Sequence, residues 1–125
     1  MLRFEALCID SPDPSGLASF WEAALEWERV DEDDDGVVLR SPDSTGAGRP
    51  LPDLLILKVD DPRSVKNRLH LDFRPDDQAA EVSRLIGLGA QRVDIGQGEA
   101  TWVVLADPDG NEFCVLRAST PHPQG

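Results

Sequence analysis

The chain has 125 residues, enough for one domain or for two small modules that share a core. Apolar residues make up 40% of it and charged residues 29%, which indicates a globular protein. The 24 acidic residues outnumber 12 basic ones, and the net charge of −12 disfavours binding to nucleic acid or to an anionic membrane surface. No apolar run approaches the roughly 20 residues that span a bilayer, and the N-terminus has no signal-peptide pattern. We expect a cytoplasmic protein whose two cysteines are reduced.

The first half of the chain predicts the order strand, helix, strand, strand, strand. Residues 4–9 are strand-like, and Asp13 followed by Pro14 is typical of a helix start. Apolar residues then recur at helical spacing, namely Leu17, Phe20, Trp21, Ala24 and Leu25. The predicted strands are residues 27–30, 36–40 and 53–59, with a long loop at 41–52. The acidic run 31–35 lacks the ligand spacing of a calcium loop and is predicted to be a solvated loop.

The second half repeats this order. Residues 68–73 alternate as in a strand, with Leu69, Leu71 and Phe73 on one face and Arg68, His70 and Asp72 on the other. Asp76 or Asp77 is predicted to cap a second helix that Gly89 ends, with the apolar stripe Ala79, Val82, Leu85 and Ile86. Strands follow at residues 91–95, 100–106 and 112–117. A turn at residues 107–110 is predicted to need positive φ at Gly110.

The repeated pattern predicts an α+β fold of two tandem βαβββ modules. Module one spans residues 1–60, module two spans 66–118, and residues 119–125 form a flexible tail. Neither module can bury its sheet and its helix well alone. We therefore expect the two to pair as one domain, with helices outside and a concave mixed sheet that forms a ligand cleft between the modules.

Three stretches of the sequence carry a family resemblance. They are Asp13-Pro14 with Phe20-Trp21 and Leu25-Glu26-Trp27, then Lys66-Asn67-Arg68-Leu69-His70-Leu71-Asp72, and Asp107-Pro108-Asp109-Gly110-Asn111-Glu112-Phe113. Together they resemble the vicinal-oxygen-chelate superfamily of glyoxalase I, extradiol dioxygenases and bleomycin- or fosfomycin-resistance proteins. The second stretch is similar to the K-N-R-x-H-x-D signature of small glyoxalase-like domain proteins. The resemblance covers residues 4–117 and implies the two-module fold, a small-molecule ligand and, as in many members, a homodimer.

The resemblance also implies a metal site built from the first and last strands of both modules. His70 matches the family's histidine and Glu112 its glutamate, and such residues bind Zn, Ni, Mn or Fe(II). In module one, Ala6 stands opposite His70, and Ile56, or else Leu54, stands opposite Glu112. These apolar residues cannot bind metal, so we expect no tightly held cofactor. A metal that is nevertheless retained would point first to a thiolate ligand from Cys8 or Cys114, or to a ligand from a partner subunit.

Strand alternation predicts that Cys8, Asp72 and Cys114 form a second layer of side chains next to Ala6, His70 and Glu112. Lys58 would share this layer if Ile56 is the counterpart of Glu112, and Arg68 would lie at the opposite end of the face. Residues with a predicted role in ligand binding are Cys8, Asp72, Cys114, Arg68 and Trp102. The alternatives that stay open are inert packing for the cysteines and core packing for Trp102.

Three functions are compatible with these residues. The first is binding of a small apolar or aromatic metabolite in the cleft between the modules, with a degenerate metal site. The second is a metal-dependent lyase, isomerase or dioxygenase reaction. The third is a metal-free enzyme in which His70 acts as acid or base and Glu112 orients it. The sequence names no substrate, because one fold supports many reactions.

Overall fold

The computed structural model describes residues 4–42, 51–61, 69–94 and 100–118. The elements are β1 (Ala6–Ser11), α1 (Pro14–Leu25), β2 (Glu28–Asp33), β3 (Gly36–Arg40), β4 (Asp53–Lys58), β5 (Leu71–Phe73), α2 (Gln78–Leu88), β6 (Gln91–Arg92), β7 (Val103–Ala106) and β8 (Glu112–Val115). This order is βαβββ twice, so the predicted α+β fold of two modules is confirmed. Most of the predicted loop 41–52, the start of the predicted strand 68–73, the end of the predicted strand 91–95 and the predicted tail 119–125 lie outside the described residues.

Each half of the chain holds one four-stranded mixed sheet, and the chain divides into two compact units, Met1–Arg63 and Ser64–Gly125. The strand order is β1-β4-β3-β2 in the first unit and β5-β8-β7-β6 in the second. The first and last strands of each unit are parallel neighbours, and the remaining pairs are antiparallel. Equivalent residues of the two units therefore occupy equivalent positions in their sheets.

The helix α1 begins and ends as local chemistry dictates. The Asp13 side chain accepts a hydrogen bond from the Gly16 amide at 3.2 Å, and Pro14 occupies the first helical turn, where no amide donor is needed. The helix ends at Glu26, whose φ of 57° is left-handed. The predicted cap and start of this helix are confirmed.

The helix α2 has the predicted cap at Asp77, which accepts from the Ala80 amide at 3.1 Å. It ends in a Schellman motif: the Gly89 amide donates to Ile86 and the Ala90 amide donates to Leu85. Gly89 has a φ of 122°, a conformation that favours glycine. The predicted glycine stop is therefore confirmed.

In the first unit, α1 packs against β3 and β4 and covers one face of the sheet. The side chains buried there are Leu17, Phe20, Trp21, Val37, Leu39, Leu54 and Ile56. The sequence predicts core packing for both Trp21 and Trp27; Trp21 is 2% exposed and lies in this core, whereas Trp27 is only half-buried. Burial of each large apolar side chain contributes about 1.5–3 kcal/mol, so this face holds the unit together.

In the second unit, the larger buried apolar side chains are Val82, Leu85, Val104, Leu105, Phe113, Cys114 and Val115. Phe73 and Phe113 meet edge to face with ring centroids 5.8 Å apart. Gln78 joins α2 to β8, because its side-chain amide donates to the Val115 carbonyl at 3.0 Å.

Several predicted strands are wrong at their ends: β7 begins at Val103 rather than at residue 100, and β8 ends at Val115 rather than at residue 117. The acidic run 31–35 is not all loop, since β2 continues to Asp33 and pairs with β3. The exposed edge of a sheet accommodates charged side chains, which explains how acids can continue a strand. The strand predicted at residues 68–73 begins at Leu71, where its pairing with β8 begins, because the described residues 69 and 70 are not in a strand. Leu69 is 82% exposed and does not share a buried face with Phe73.

The predicted apolar stripe of α2 is too wide. Val82 and Leu85 are buried, but Ala79 is exposed and Ile86 is 41% exposed. Only one turn of the helix therefore supplies side chains to the core. None of the helices in the described ranges is long and apolar enough to cross a membrane.

Gly110 provides a test of the turn between β7 and β8. Its φ is 90°, as the sequence predicts, and its amide donates to the Asp107 carbonyl at 2.8 Å. Gly110→Val should lower the free energy of unfolding by about 1–2 kcal/mol, because a β-branched residue is strained at this φ. Denaturant unfolding measures the change.

Gly87→Ala is the matched control, because a Cβ at this helical position meets nothing within 4 Å. It should be neutral or stabilising. If Gly110→Val is as stable as the unchanged protein, the assignment of a positive φ to Gly110 is contradicted.

Candidate functional site

The face of the first sheet opposite α1 is the one that carries Ala6, Cys8 and Leu55, and we call it the pocket face. The register pairs Ala6 with Asp53 and Cys8 with Leu55, and paired residues share a face. Ile56 lies on the other face and is 0% exposed. The predicted placement of Ile56 opposite Glu112 is therefore wrong.

Leu54 is 3% exposed on the same buried face, so the alternative placement is wrong as well. In the second unit the register pairs Asp72 with Cys114; two residues earlier in the chain stand His70, just before β5, and Glu112, at the start of β8. The equivalent pair in the first unit is Ala6 and Asp53. The residue that corresponds to Glu112 is thus an aspartate on the pocket face.

Asp53 is bound by Arg40 through two parallel hydrogen bonds. Nε of Arg40 lies 3.0 Å from Oδ1 and Nη2 lies 2.8 Å from Oδ2. These bonds hold the pKa of Asp53 below its ordinary value, and the guanidinium charge acts in the same direction. Such a fork-to-fork pair is geometrically specific.

This pair tests whether the residues fit the metal that the family implies. Both oxygens of Asp53 are taken by a guanidinium, whose positive charge would repel a metal ion beside it. Ala6, at the position equivalent to His70, has no ligand atom. The family's set of four ligands therefore does not fit this chain.

An open pocket of about 400 Å³ surrounds the Arg40–Asp53 pair. It is lined by Glu5, Ala6, Val30, Asp31, Val38, Arg40, Asp53 and Leu55. Its volume lies within the range of small-molecule sites, about 300–1,000 Å³. This pocket was not predicted from the sequence, although opposite charges at facing ends of neighbouring strands are a signal for a cross-strand pair.

In the second unit, His70, Asp72 and Cys114 come together. One ligand atom from each lies within 4.8 Å of the others, and His70 Nδ1 is 3.5 Å from Asp72 Oδ1. Burial raises the pKa of the Cys114 thiol, and the charge of Asp72 and a hydrogen bond with it raise that pKa further. The predicted association of Asp72 with Cys114 in one layer agrees with their register.

Glu112 begins β8 directly after a turn that Asp107 organises. Asp107 is 3% exposed, and its carboxylate accepts from the Asp109 amide at 3.0 Å and the Asn111 amide at 2.9 Å. The Oε2 atom of Glu112 is buried. The catalytic pairing of His70 with Glu112 stays a prediction, and the carboxylate found beside His70 is that of Asp72.

The remaining predicted site residues are placed as follows. Lys58 pairs with Ser11 rather than lying in the layer of Cys8, and its ammonium donates to the Pro12 carbonyl. The predicted proximity of Lys58 to the thiol is therefore wrong. Trp102 precedes β7 and is 40% exposed. Arg68 lies outside the described residues.

Comparison with known proteins agrees with this architecture. A glyoxalase/bleomycin resistance protein/dioxygenase family enzyme from Burkholderia phytofirmans has a TM-score of 0.70 at 13% identity, over 91% of this chain and 97% of that one. The bleomycin resistance determinant encoded on the transposon Tn5 has a TM-score of 0.60 at 19% identity, over 95% of this chain and 100% of that one. The trypanothione-dependent glyoxalase I of Leishmania major has a TM-score of 0.64 at 16% identity, over 94% and 87% respectively.

These likenesses define the class as the glyoxalase/bleomycin-resistance fold. None of the curated proteins is significantly similar to this chain in sequence. The model of the glyoxalase-like domain matches residues 6–116. The chain belongs to the glyoxalase-like domain family, within the vicinal-oxygen-chelate superfamily.

The Arg40–Asp53 pair predicts a pH-dependent contribution to stability. Asp53→Asn should lower the free energy of unfolding at neutral pH by up to about 1 kcal/mol, because Arg40 loses a charged partner. The folded pKa of Asp53 is lowered, so the contribution is present above the unfolded pKa and is lost as pH falls through the folded pKa. The difference between the two proteins should therefore shrink in acid.

Denaturant unfolding over a pH series measures that difference. Asp34→Asn removes a carboxylate from an exposed turn and is the matched control. If both variants show the same pH dependence, the pair does not contribute as described.

The two cysteines should differ in reactivity. Cys8 is exposed, whereas Cys114 is 6% exposed and its pKa is raised. The sequence predicts two slow thiols, but the exposure of Cys8 now leads us to expect one fast thiol and one slow thiol. A chromogenic disulfide, applied with chelator to native and denatured protein, counts them. Cys8→Ser should abolish the fast native phase, and a fast phase that persists in this variant would refute the assignment.

Proposed function

We propose that this protein binds a small neutral or cationic organic molecule with an apolar or aromatic portion, without the four-ligand metal site of its family. The ligand would occupy the pocket face of the first sheet. The Arg40–Asp53 pair is the observation that carries this proposal. Asp53 stands where the family would have a metal ligand, but here it is bound by Arg40, and both side chains line the pocket.

The apolar part of the pocket supports contact with a hydrocarbon or ring surface. Val30, Val38 and Leu55 line it, and Val30 is 41% exposed. Covering such side chains stabilises a complex by about 25 cal/mol for each Å² of apolar surface removed from water. These side chains could therefore contact the apolar or aromatic ligand that the sequence predicts.

The polar part of the pocket favours neutral or cationic ligands. Glu5, Asp31 and Asp53 oppose one guanidinium, and the whole chain has a net charge of −12. The excess negative charge of the pocket and the negative net charge of the chain both disfavour the approach of an anion. Arg40 uses Nε and Nη2 for Asp53, so further N–H donors of its guanidinium can bind a carbonyl or hydroxyl oxygen of the ligand.

The comparisons with solved structures support the fold on which this proposal rests, but they do not identify a ligand. One similar structure is a bleomycin resistance determinant and another is a glyoxalase I, so the same fold carries different functions. The metal-free enzyme remains a second hypothesis, in which His70 would act as acid or base. Its observed neighbour Asp72 suits the orienting role that the sequence analysis gave to Glu112. A homodimer remains an expectation from the family.

The proposal predicts which ligands bind and which substitution weakens them. A chemically broad library of small molecules, screened by thermal shift in the presence of chelator, should contain neutral or cationic compounds that raise the melting temperature. Asp31→Lys should weaken the affinity for a cationic compound about tenfold, because it reverses a charge at the pocket wall. Titration calorimetry measures the affinity.

Asp34→Lys makes the same change of net charge at an exposed turn and is the matched control. It should leave the affinity nearly unchanged, since residue 34 does not line the pocket. Stabilisation by anions alone, or equal weakening by both substitutions, would overturn the proposal. A library without any stabilising compound would overturn it too.

A further inference from the structure

We infer that His70, Asp72 and Cys114 form a binding site for a thiophilic divalent cation such as Zn²⁺, held entirely by the second unit. The site differs from the family's metal site, because two of its ligands are Asp72 and Cys114 and none comes from the first unit. None of its three residues lines the proposed pocket, whose lining residues all belong to the first unit.

The backbone places the three side chains together. Asp72 on β5 is the register partner of Cys114 on the parallel strand β8, so their side chains lie side by side on one face. His70 is two residues before Asp72, and its Nδ1 is 3.5 Å from Asp72 Oδ1. The buried Asp107 turn fixes the start of β8 and with it the position of the thiol.

The distances are close to those of a coordinated zinc ion. Tetrahedral Zn²⁺, with bonds of about 2.3 Å to sulfur and about 2.0–2.1 Å to nitrogen or oxygen, separates its ligand atoms by about 3.3–3.6 Å. The trio lies within 4.8 Å, and the His70–Asp72 distance is already 3.5 Å. The side chains of His70 and Asp72 are 47% and 53% exposed, so they have room to rotate toward the buried sulfur.

The charges of the trio also match a divalent cation. A thiolate and a carboxylate together neutralise Zn²⁺, and histidine adds a neutral nitrogen ligand. On binding, the Cys114 S–H bond breaks, a sulfur–zinc bond forms, and the proton passes to solvent. Without a cation, the carboxylate of Asp72 instead disfavours the thiolate beside it.

Three protein ligands leave a fourth position open. Because His70 and Asp72 are largely exposed, that position is accessible to water or to a small anion. We therefore expect reversible binding that chelator removes. This agrees with the expectation that the purified protein retains little metal, and it requires the metal to be added in the test.

Cobalt(II) is the probe, since it replaces zinc and reports a sulfur ligand spectroscopically. Full-length reduced protein without a histidine tag is treated with chelator, exchanged into chelator-free buffer and titrated with Co²⁺. We expect a thiolate-to-cobalt charge-transfer band that saturates at one equivalent and disappears when Zn²⁺ is added. Asp72→Asn, a change at an exposed residue, should weaken Co²⁺ binding at least about tenfold by removing a ligand charge.

Two matched pairs of variants assign the other ligands. Cys114→Ser should abolish the band, whereas Cys8→Ser should keep it. His70→Ala should weaken binding, whereas His122→Ala should not. No band in the unchanged protein, or a band that depends on Cys8 or His122 instead, would overturn the site. Circular dichroism checks that each variant folds.

This test is separate from that of the proposed function. Organic ligands are screened with chelator and depend on Asp31, whereas cobalt is titrated with no organic ligand and depends on Cys114. A result against one site therefore leaves the other standing.

Discussion

The register between the two parallel neighbouring strands in each unit is the constraint on which both candidate sites depend. Side chains alternate along a strand, so a shift of one residue would exchange the buried face for the accessible one. In the first unit this register puts Ile56 under α1 and Asp53 on the pocket face. In the second it sets Asp72 beside Cys114. The chemistry of each site follows from these pairings rather than from proximity in sequence.

Much of the fold could be predicted because local signals and burial agree. Asp13 with Pro14, Asp77, Gly89 and Gly110 each have one physical role, and each has the predicted geometry. The order βαβββ follows from the change between helical and alternating apolar spacing. The stretch from Leu71 to Phe73 also alternates as predicted, and this is why the association of Asp72 with Cys114 could be anticipated.

The face of β4 could not be predicted from its sequence. Leu54-Leu55-Ile56-Leu57 is a continuous apolar run, which has no alternation to show which side chains are buried. Its neighbours decide the matter, since Val37 and Leu39 of β3 are buried beside Ile56 and Leu54. Without that information, Ile56 or Leu54 is assigned to the position equivalent to Glu112 instead of Asp53, and the ion pair with Arg40 is missed.

The two units have the same topology, but equivalent positions carry apolar side chains in one unit and polar, potential metal-binding side chains in the other. The pair Cys8–Leu55 in the first unit corresponds to Asp72–Cys114 in the second, so the thiol has a hydrocarbon neighbour in one and a carboxylate neighbour in the other. Two residues earlier, the first unit has Ala6 beside an aspartate that Arg40 already binds.

The apolar surface of the first unit suits contact with an organic molecule. The Asp53 carboxylate at its edge is already paired with Arg40, so it does not need a bound cation to balance its charge. A thiol beside a carboxylate and an imidazole instead combines groups that a thiophilic cation satisfies together. The first unit has no ligand atom in the side chain of Ala6, and its Asp53 carboxylate is bound by Arg40, whereas the second unit presents three potential donors. Because the register is set within each sheet separately, the two proposed sites can differ in chemistry although the two units share one topology.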